Sequence, residues 1–205
     1  MTALRLRRSS GGEKVRRRLD DGRREELLDG VMGIIAARGF AGVRTSQMAR
    51  ELHCSETTLY KIAPSKDSLL VLALDHWAGL VLERAEGRAR QGKTASERAR
   101  LYYLTTVESF RPLSLEFRRD VERFPSTHMA YQAASDRFVN RFVELLDAAV
   151  EAGEVRPMNT LFLAQALRQL SLAIRDERAL RASGLTTEEA ALLVDSLIWD
   201  GIRTA

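Results

Sequence analysis

The chain has 205 residues, 45% hydrophobic and 29% charged, which suits an ordinary globular protein with a sizeable core and excludes a disordered or fibrous one. Its longest aliphatic run, Leu69 to Leu74, is too short to cross a bilayer, and the start lacks the apolar centre of a secretory signal. A single cysteine, Cys54, cannot form an internal disulfide, so a cytoplasmic protein with no membrane association is expected.

The net charge of +4 is unevenly spread: residues 1–24 hold nine Arg and Lys against Glu13, Asp20 and Asp21, and the rest is slightly acidic. Residues 1–22, with "SSGG" in the middle, are expected to form a basic arm with little fixed structure. Such an arm either is simply solvated or touches a polyanion.

From Arg23 the pattern is helical. Leu27, Leu28, Val31, Ile34 and Ile35 make one apolar stripe, with Asp20 or Asp21 placed to cap it. Gly39 stops that helix, and Phe40 and Val43 are expected to tuck beneath it.

Residues 45–66, "TSQMARELHCSETTLYKIAPSK", hold two short helices set close together. Thr45 is the expected N-cap of the first, whose inward face is Met48, Ala49 and Leu52. His53 and Cys54 form the turn. Ser55 caps the second helix, with Leu59, Ile62 and Ala63 inward; Pro64 ends it, and Ser65 caps the next.

Beyond Ser65 everything reads as helix. One long amphipathic segment follows, and Thr94 with Glu97 makes a capping box for a helix reaching about Phe110. Pro112 and Pro125 bracket a short helix. Another runs from about Ser126 to Ala152 and stops at Gly153, and one more spans Asn159 to about Ala182. Thr186 with Glu189 opens the last. No alternating strand pattern appears, so the expected class is all-α. Its expected divisions are the arm, a helix–turn–helix domain over 23–68, and a helical domain over 69–205.

The residue types of the paired short helices suit DNA. A helix–turn–helix sets its second helix in the major groove. Thr57 and Thr58 offer short donors and acceptors, with methyl groups for thymine; Glu56 either accepts from a cytosine amino group or complements the helix dipole. Tyr60, Lys61 and Lys66 can reach phosphates, and Arg44, Ser46 and Gln47 begin the first short helix, where backbone contacts are expected. An ordinary helical hairpin would fit the bare pattern equally well. The Thr, Tyr and Lys of the polar face and the basic arm upstream favour DNA.

The segment "TSQMARELHCSETTLYKIAPSKDSLL" resembles the DNA-binding region of the TetR family of transcriptional regulators, over roughly residues 24–72. The likeness rests on "ARGFAGVRT", the Met48–Ala49 pair, "SETTLY" and "PSKDSLL". It implies a recognition helix over residues 55–61, Tyr60 on the DNA backbone, and Thr45 and Lys66 at phosphates. Three positions depart from the family: His53 where a small residue, often Gly, is usual; Thr57 where a small residue is usual; and Ala63 where an aromatic is usual. A His at positive φ would carry strain.

The resemblance also implies a small-molecule effector and a homodimer on a palindromic operator, with no cofactor. Effector binding would shift the central helices and the fourth, changing the separation of the two recognition helices and releasing the operator. Independently, Leu163, Leu167, Leu170 and Ile174 repeat along one helix, as do Ala190, Val194, Leu197 and Gly201 along another. Leu192, Leu193, Ile198 and Ile202 widen the last apolar arc beyond one core face, which suits a four-helix bundle between two copies. The candidate effector pocket is Trp77, Tyr102, Tyr103, Thr106, Phe110 and Phe138, although aromatics at helical spacing serve equally well as core.

An enzyme finds little support. His53, His76 and His128 are far apart and in no metal-binding spacing, Asp75 and His76 do not share a helix face, and no phosphate loop or nucleophile elbow occurs. Cys54 reads as small packing. A constitutive or architectural DNA-binding protein without an effector is the alternative, and a filled core in place of a pocket would favour it. A helical scaffold for proteins alone would show no salt-dependent DNA affinity.

Overall fold

The computed structural model describes residues 11–174 and 177–203, and for 11–20 and 177 the backbone only. The described residues form ten helices and no strand. They fall into two compact units: residues up to Trp77 together with Leu113–Ala130, and Ala78–Pro112 together with the chain from Tyr131 onward.

The first unit begins with α1 (Gly11–Arg38). This helix starts ahead of Arg23, so the expected unstructured arm is helical over 11–22; the arm's first ten residues lie outside the described ones. Asp20 and Asp21 therefore sit inside α1 and not at its start. Leu27, Leu28, Val31 and Ile35 are buried, the stripe read from the sequence. Gly39 ends the helix at φ 74°, its amide donating to the Ile35 carbonyl at 2.8 Å. A left-handed backbone there favours glycine, and a Cβ would also stand 2.5 Å from Asp120 Oδ2. Phe40 and Val43 fold back into the core.

Two short helices follow, α2 (Thr45–Glu51) and α3 (Glu56–Ile62), and then the start of α4 (Lys66–Ala89). The unit is completed by α6 (Leu115–Arg123), whose N-cap Ser114 donates its amide to the Ala36 carbonyl at 2.8 Å. From α6, Phe117 meets the Phe40 ring edge-on at 6.2 Å between centroids. Asp120 accepts from the amides of Phe40 (2.5 Å) and Ala41 (2.7 Å), so one carboxylate gathers the α1–α2 turn.

The second unit holds the rest of α4, α5 (Ala95–Ser109), most of α7 (Pro125–Glu151), α8 (Thr160–Ala173), α9 (Glu177–Ser183) and α10 (Thr187–Ile202). Its core includes Tyr102, Tyr103, Phe142, Leu146, Leu167, Trp199 and Ile202. The predicted capping residues recur: Thr94 Oγ1 accepts from Glu97 N at 3.1 Å, and Thr186 and Glu189 bond reciprocally. The Glu97 carboxylate reaches the amide of Lys93, one residue before Thr94. Glu154 adds a cap from outside, accepting from Ser96 N (2.7 Å) and Ala95 N (3.3 Å) at the start of α5. The Ser96 amide above all holds its carboxyl below the ordinary range, with help from the Ser96 hydroxyl. Arg100 grips the buried Asp195 through two bonds, tying α5 to α10.

The helix expected over Asn159 to about Ala182 is two. Asn159 is the N-cap of α8, but α8 ends at Ala173 and α9 starts at Glu177.

Candidate functional site: an exposed polar helix face and an aromatic cavity

In the first unit, α3 presents a polar outer face because its apolar residues point inward. Leu59 is fully buried, and Ala63 is buried just past its end. Ser55 caps α3 through Thr58 N at 3.1 Å, and its hydroxyl also meets Thr58 Oγ1 at 2.8 Å. Ser55, Glu56, Thr57, Tyr60 and Lys61 are exposed, and Thr58 is half-buried. Tyr60 is 46% exposed, an unusual place for a large ring unless something meets it. On α2, Arg44 and Gln47 are exposed and Ser46 is half-buried.

Two expected site residues are placed differently from their sequence reading. Thr45 is the first residue of α2, not its cap; Arg44 is the N-cap, and its amide donates to Gln47 Oε1 at 2.8 Å. The Thr45 side chain is buried, so it turns away from any ligand of this face. Lys66 is half-buried, with Nζ bonded to the Phe40 carbonyl at 2.6 Å. Burial lowers its pKa, while Asp120 and Asp67 pull the other way. It is a strut to the α1–α2 turn and not a free cation. Asp120, which shares that turn, was not legible as a functional residue: its partners are about eighty residues away in sequence.

The turn between α2 and α3 carries the strain foreseen for it. His53 sits at φ 50°, the one non-glycine among the described residues with positive φ. Cys54 closes the turn, its amide donating to the Ala49 carbonyl at 2.9 Å. Burial pushes the Cys54 thiol up, with Arg23 partly opposing, which makes it a poor nucleophile at neutral pH. Replacing His53 with Gly should stabilise the protein by about 0.5–1 kcal/mol, because the left-handed backbone penalty exceeds the extra entropy of an unfolded glycine. Chemical denaturation of both forms checks this; a destabilised variant would mean that the His53 ring makes a contact worth more than the strain.

The second unit contains a cavity of about 730 Å³ of space unfilled by protein atoms, its mouth included. Residues of α5, α7 and α8 line it. Tyr102, Tyr103, Thr106, Phe110 and Phe138, five of the six pocket candidates, lie there together. Trp77 does not; it belongs to the first unit. The wall also carries Tyr131, Gln132, Ser135, Phe142, Arg168 and Ser171, which the sequence reading missed. Phe110 stands edge-on to both Tyr131 and Phe138, at 6.1 and 5.7 Å between centroids. Tyr103 meets Ser171 Oγ at 3.1 Å. Burial raises the Tyr102 pKa, so its hydroxyl stays protonated and bonded weakly to the Phe138 carbonyl.

Of the expected dimer residues, Leu167 and Ile174 are buried within the chain and cannot meet a partner, because the α8 stripe is used for its own core. Val194 and Ile198 pack partly against that core. Leu170, Leu197 and Gly201 are exposed. The outward apolar residues also include Leu161 and Phe162 on α8 and Leu192 and Leu193 on α10.

No helix among the described residues is long and apolar enough to cross a membrane. The three histidines lie apart, and no group of three His, Cys, Asp or Glu among the described residues could hold a metal ion.

No known family's sequence pattern matches this chain, and no curated protein matches it. Solved structures do. A transcriptional regulator from Saccharomonospora viridis, crystallised with choline, superposes with a TM-score of 0.75 at 20% identity, over 90% of this chain and 100% of that one. A TetR-family regulator from Cytophaga hutchinsonii gives 0.73 at 14% identity, over 91% and 98%. FadR from Bacillus subtilis, in complex with stearoyl-CoA, gives 0.71 at 15% identity, over 87% and 98%. A helix–turn–helix unit followed by a helical unit is the architecture of these structures, and this chain has the fold of the TetR-type transcriptional regulators, as the sequence resemblance implied.

Proposed function

We propose that the protein is a homodimeric, sequence-specific DNA-binding transcriptional regulator of the cytoplasm, a repressor released from a palindromic operator by a small-molecule effector. The observation that carries this reading is the exposed polar face of α3, with Glu56, Thr57, Tyr60 and Lys61 outward over a helix anchored by buried Leu59. Such a helix lays short polar groups against base edges while Tyr and Lys take the backbone. The aromatic cavity supports an effector over the constitutive alternative, for which the same region would be filled. Similar proteins have been crystallised with choline and with stearoyl-CoA, so the fold admits such ligands. Release requires only that the effector bind the operator-incompetent conformation more tightly than the competent one.

Selection of genomic fragments by the purified protein at physiological salt tests the reading. A recovered palindrome is expected, and recovery of no sequence would overturn it. On that operator, Tyr60→Ala should lower affinity by a similar factor for every sequence, about tenfold. Thr57→Ala should instead relax preference at one position per half-site, by about 1–3 kcal/mol of discrimination. If neither change alters binding in a mobility-shift titration, α3 is not the recognition helix.

A further inference from the structure

The cavity wall is chemically lopsided. Most of it is aromatic and aliphatic, with neutral polar groups at Thr106, Gln132, Ser135 and Ser171. Arg168 is its one charged residue, and no carboxylate lines the cavity beside it. Elsewhere in this unit Arg100 is paired with Asp195, and Arg141 with Glu86 and Glu144.

The hydrogen bonds of Arg168 leave a specific vacancy. Its Nη1 donates to Gln132 Oε1 at 3.3 Å, a long bond to a neutral acceptor. Its Nε is buried and has no acceptor at all. A guanidinium has five N–H donors arranged as a planar fork, and the Nε side of that fork matches the two oxygens of a carboxylate. A buried donor on a charged group without an acceptor is costly to keep, and here it belongs to a residue that lines a cavity.

The alternative ligand charge is disfavoured by the same residue. Rings such as Tyr103, Phe110, Tyr131 and Phe138 could by themselves surround a quaternary ammonium. A cation placed among them would share a low-dielectric space with an unneutralised guanidinium, and like charges at that separation repel strongly.

We propose that the effector of this cavity is an organic anion: a carboxylate, bound by the Arg168 guanidinium, on an apolar or aromatic body that stacks within the ring-lined wall. This rests on the cavity being the effector site, and it adds the ligand's charge and the residue that reads it. Arg168 fixes the acid end, and the aromatic wall takes the body without regard to charge. The two contributions separate experimentally.

The test is calorimetric titration of the full-length protein with 4-phenylbutyrate, its neutral amide and the corresponding phenylbutyl amine, and with decanoate, decanamide and decylamine below their micellar concentrations. The acids are expected to bind at least tenfold more tightly than the amides, and the amines more weakly still. Arg168→Gln should bring the acid-to-amide ratio close to one, with Arg168→Lys intermediate because a lysine keeps the charge but not the two-pronged geometry. Phe138→Ala should weaken acid and amide by the same factor and leave their ratio unchanged, a result that loss of folding would not give; circular dichroism of each variant confirms helicity. If amides or amines bind as well as acids, or if Arg168→Gln keeps the ratio, the anion proposal is overturned and the cavity remains a ligand site. If none of the six compounds binds the wild type, the effector-site reading fails and takes the proposal with it.

Discussion

Asp120→Ala should destabilise the protein by about 2–3 kcal/mol and lower its affinity for operator DNA at least tenfold, although Asp120 lies on α6 and not on the helix–turn–helix. The stability figure follows from what the carboxylate holds. It accepts from two successive backbone amides, Phe40 and Ala41, and hydrogen bonds to a charged group contribute about 1.5–3 kcal/mol each. Ala41 N is exposed and recovers water when the acceptor goes, so the loss falls short of two full bonds. The Phe40 amide is part-buried beside a buried ring and recovers little. The affinity figure follows from position. The bonded turn joins α1 to α2, and Lys66 Nζ braces the same turn through the Phe40 carbonyl at the start of α4. Loosening it releases α2 and α3 from the frame that sets their angle to DNA. Asp120→Asn, which keeps an oxygen acceptor without the charge, should fall between wild type and alanine. Urea denaturation and mobility-shift titration of both variants check the pair of effects. Unchanged stability in Asp120→Ala would mean that the turn is fixed by Phe40 packing alone.

Local structure was legible in the sequence wherever a local signal exists. Ser55, Ser65, Thr94 and Thr186 announce helix starts because a short side-chain oxygen reaches an amide three residues on, and that is a matter of four consecutive residues. Gly39 and Gly153 announce stops because only glycine takes their φ cheaply. The break after α8 had no such signal. Ile174 ends that helix with neither proline nor glycine nearby until Gly184, and an apolar stripe runs up to it. The start of α1 was hidden for a different reason: arginine is a good helix former, but an Arg-rich, Gly-containing stretch reads by composition as unstructured. Side-chain destinations across the fold were the least legible. Lys66 looks from sequence like a free cation and is turned inward by one carbonyl. Asp120 looks like a surface acid. Arg168 and Gln132 look like the solvent face of their helices. Each is decided by a partner far away in sequence, which spacing cannot reveal. The aromatics Tyr102, Tyr103, Phe110 and Phe138 were easier, since large rings on packed amphipathic helices must either fill a core or line a cavity.

The second large effect is expected at the outward apolar face of α8 and α10. Phe162 is 74% exposed and Leu197 66% exposed, and Leu161 and Leu192 are more than half exposed as well. Large apolar side chains left this open on two helices favour burial by association. Covering each one fully is worth roughly 1.5–3 kcal/mol, less in proportion to the part already buried, and a symmetric pair doubles the number covered, which is of the same order as the roughly 4–15 kcal/mol cost of bringing two chains together. Leu167 and Ile174 play no part in this sum, being committed to the chain's own core. Phe162→Glu combined with Leu197→Glu removes two of these contributions per chain and places carboxylates in an apolar contact, at a cost of several kcal/mol for each charge buried without a partner. Sedimentation at micromolar concentration should then show a monomer where the wild type is expected to show a dimer, with helical content preserved because neither side chain supports the fold of its own chain. Operator affinity should fall at least a hundredfold, since a single α3 reads only one half-site and loses the joint binding of the pair. The acid-to-amide preference of the cavity should persist in the monomer, as none of its lining residues is altered. A variant that still sediments as a dimer would place the dimer contact elsewhere on the chain.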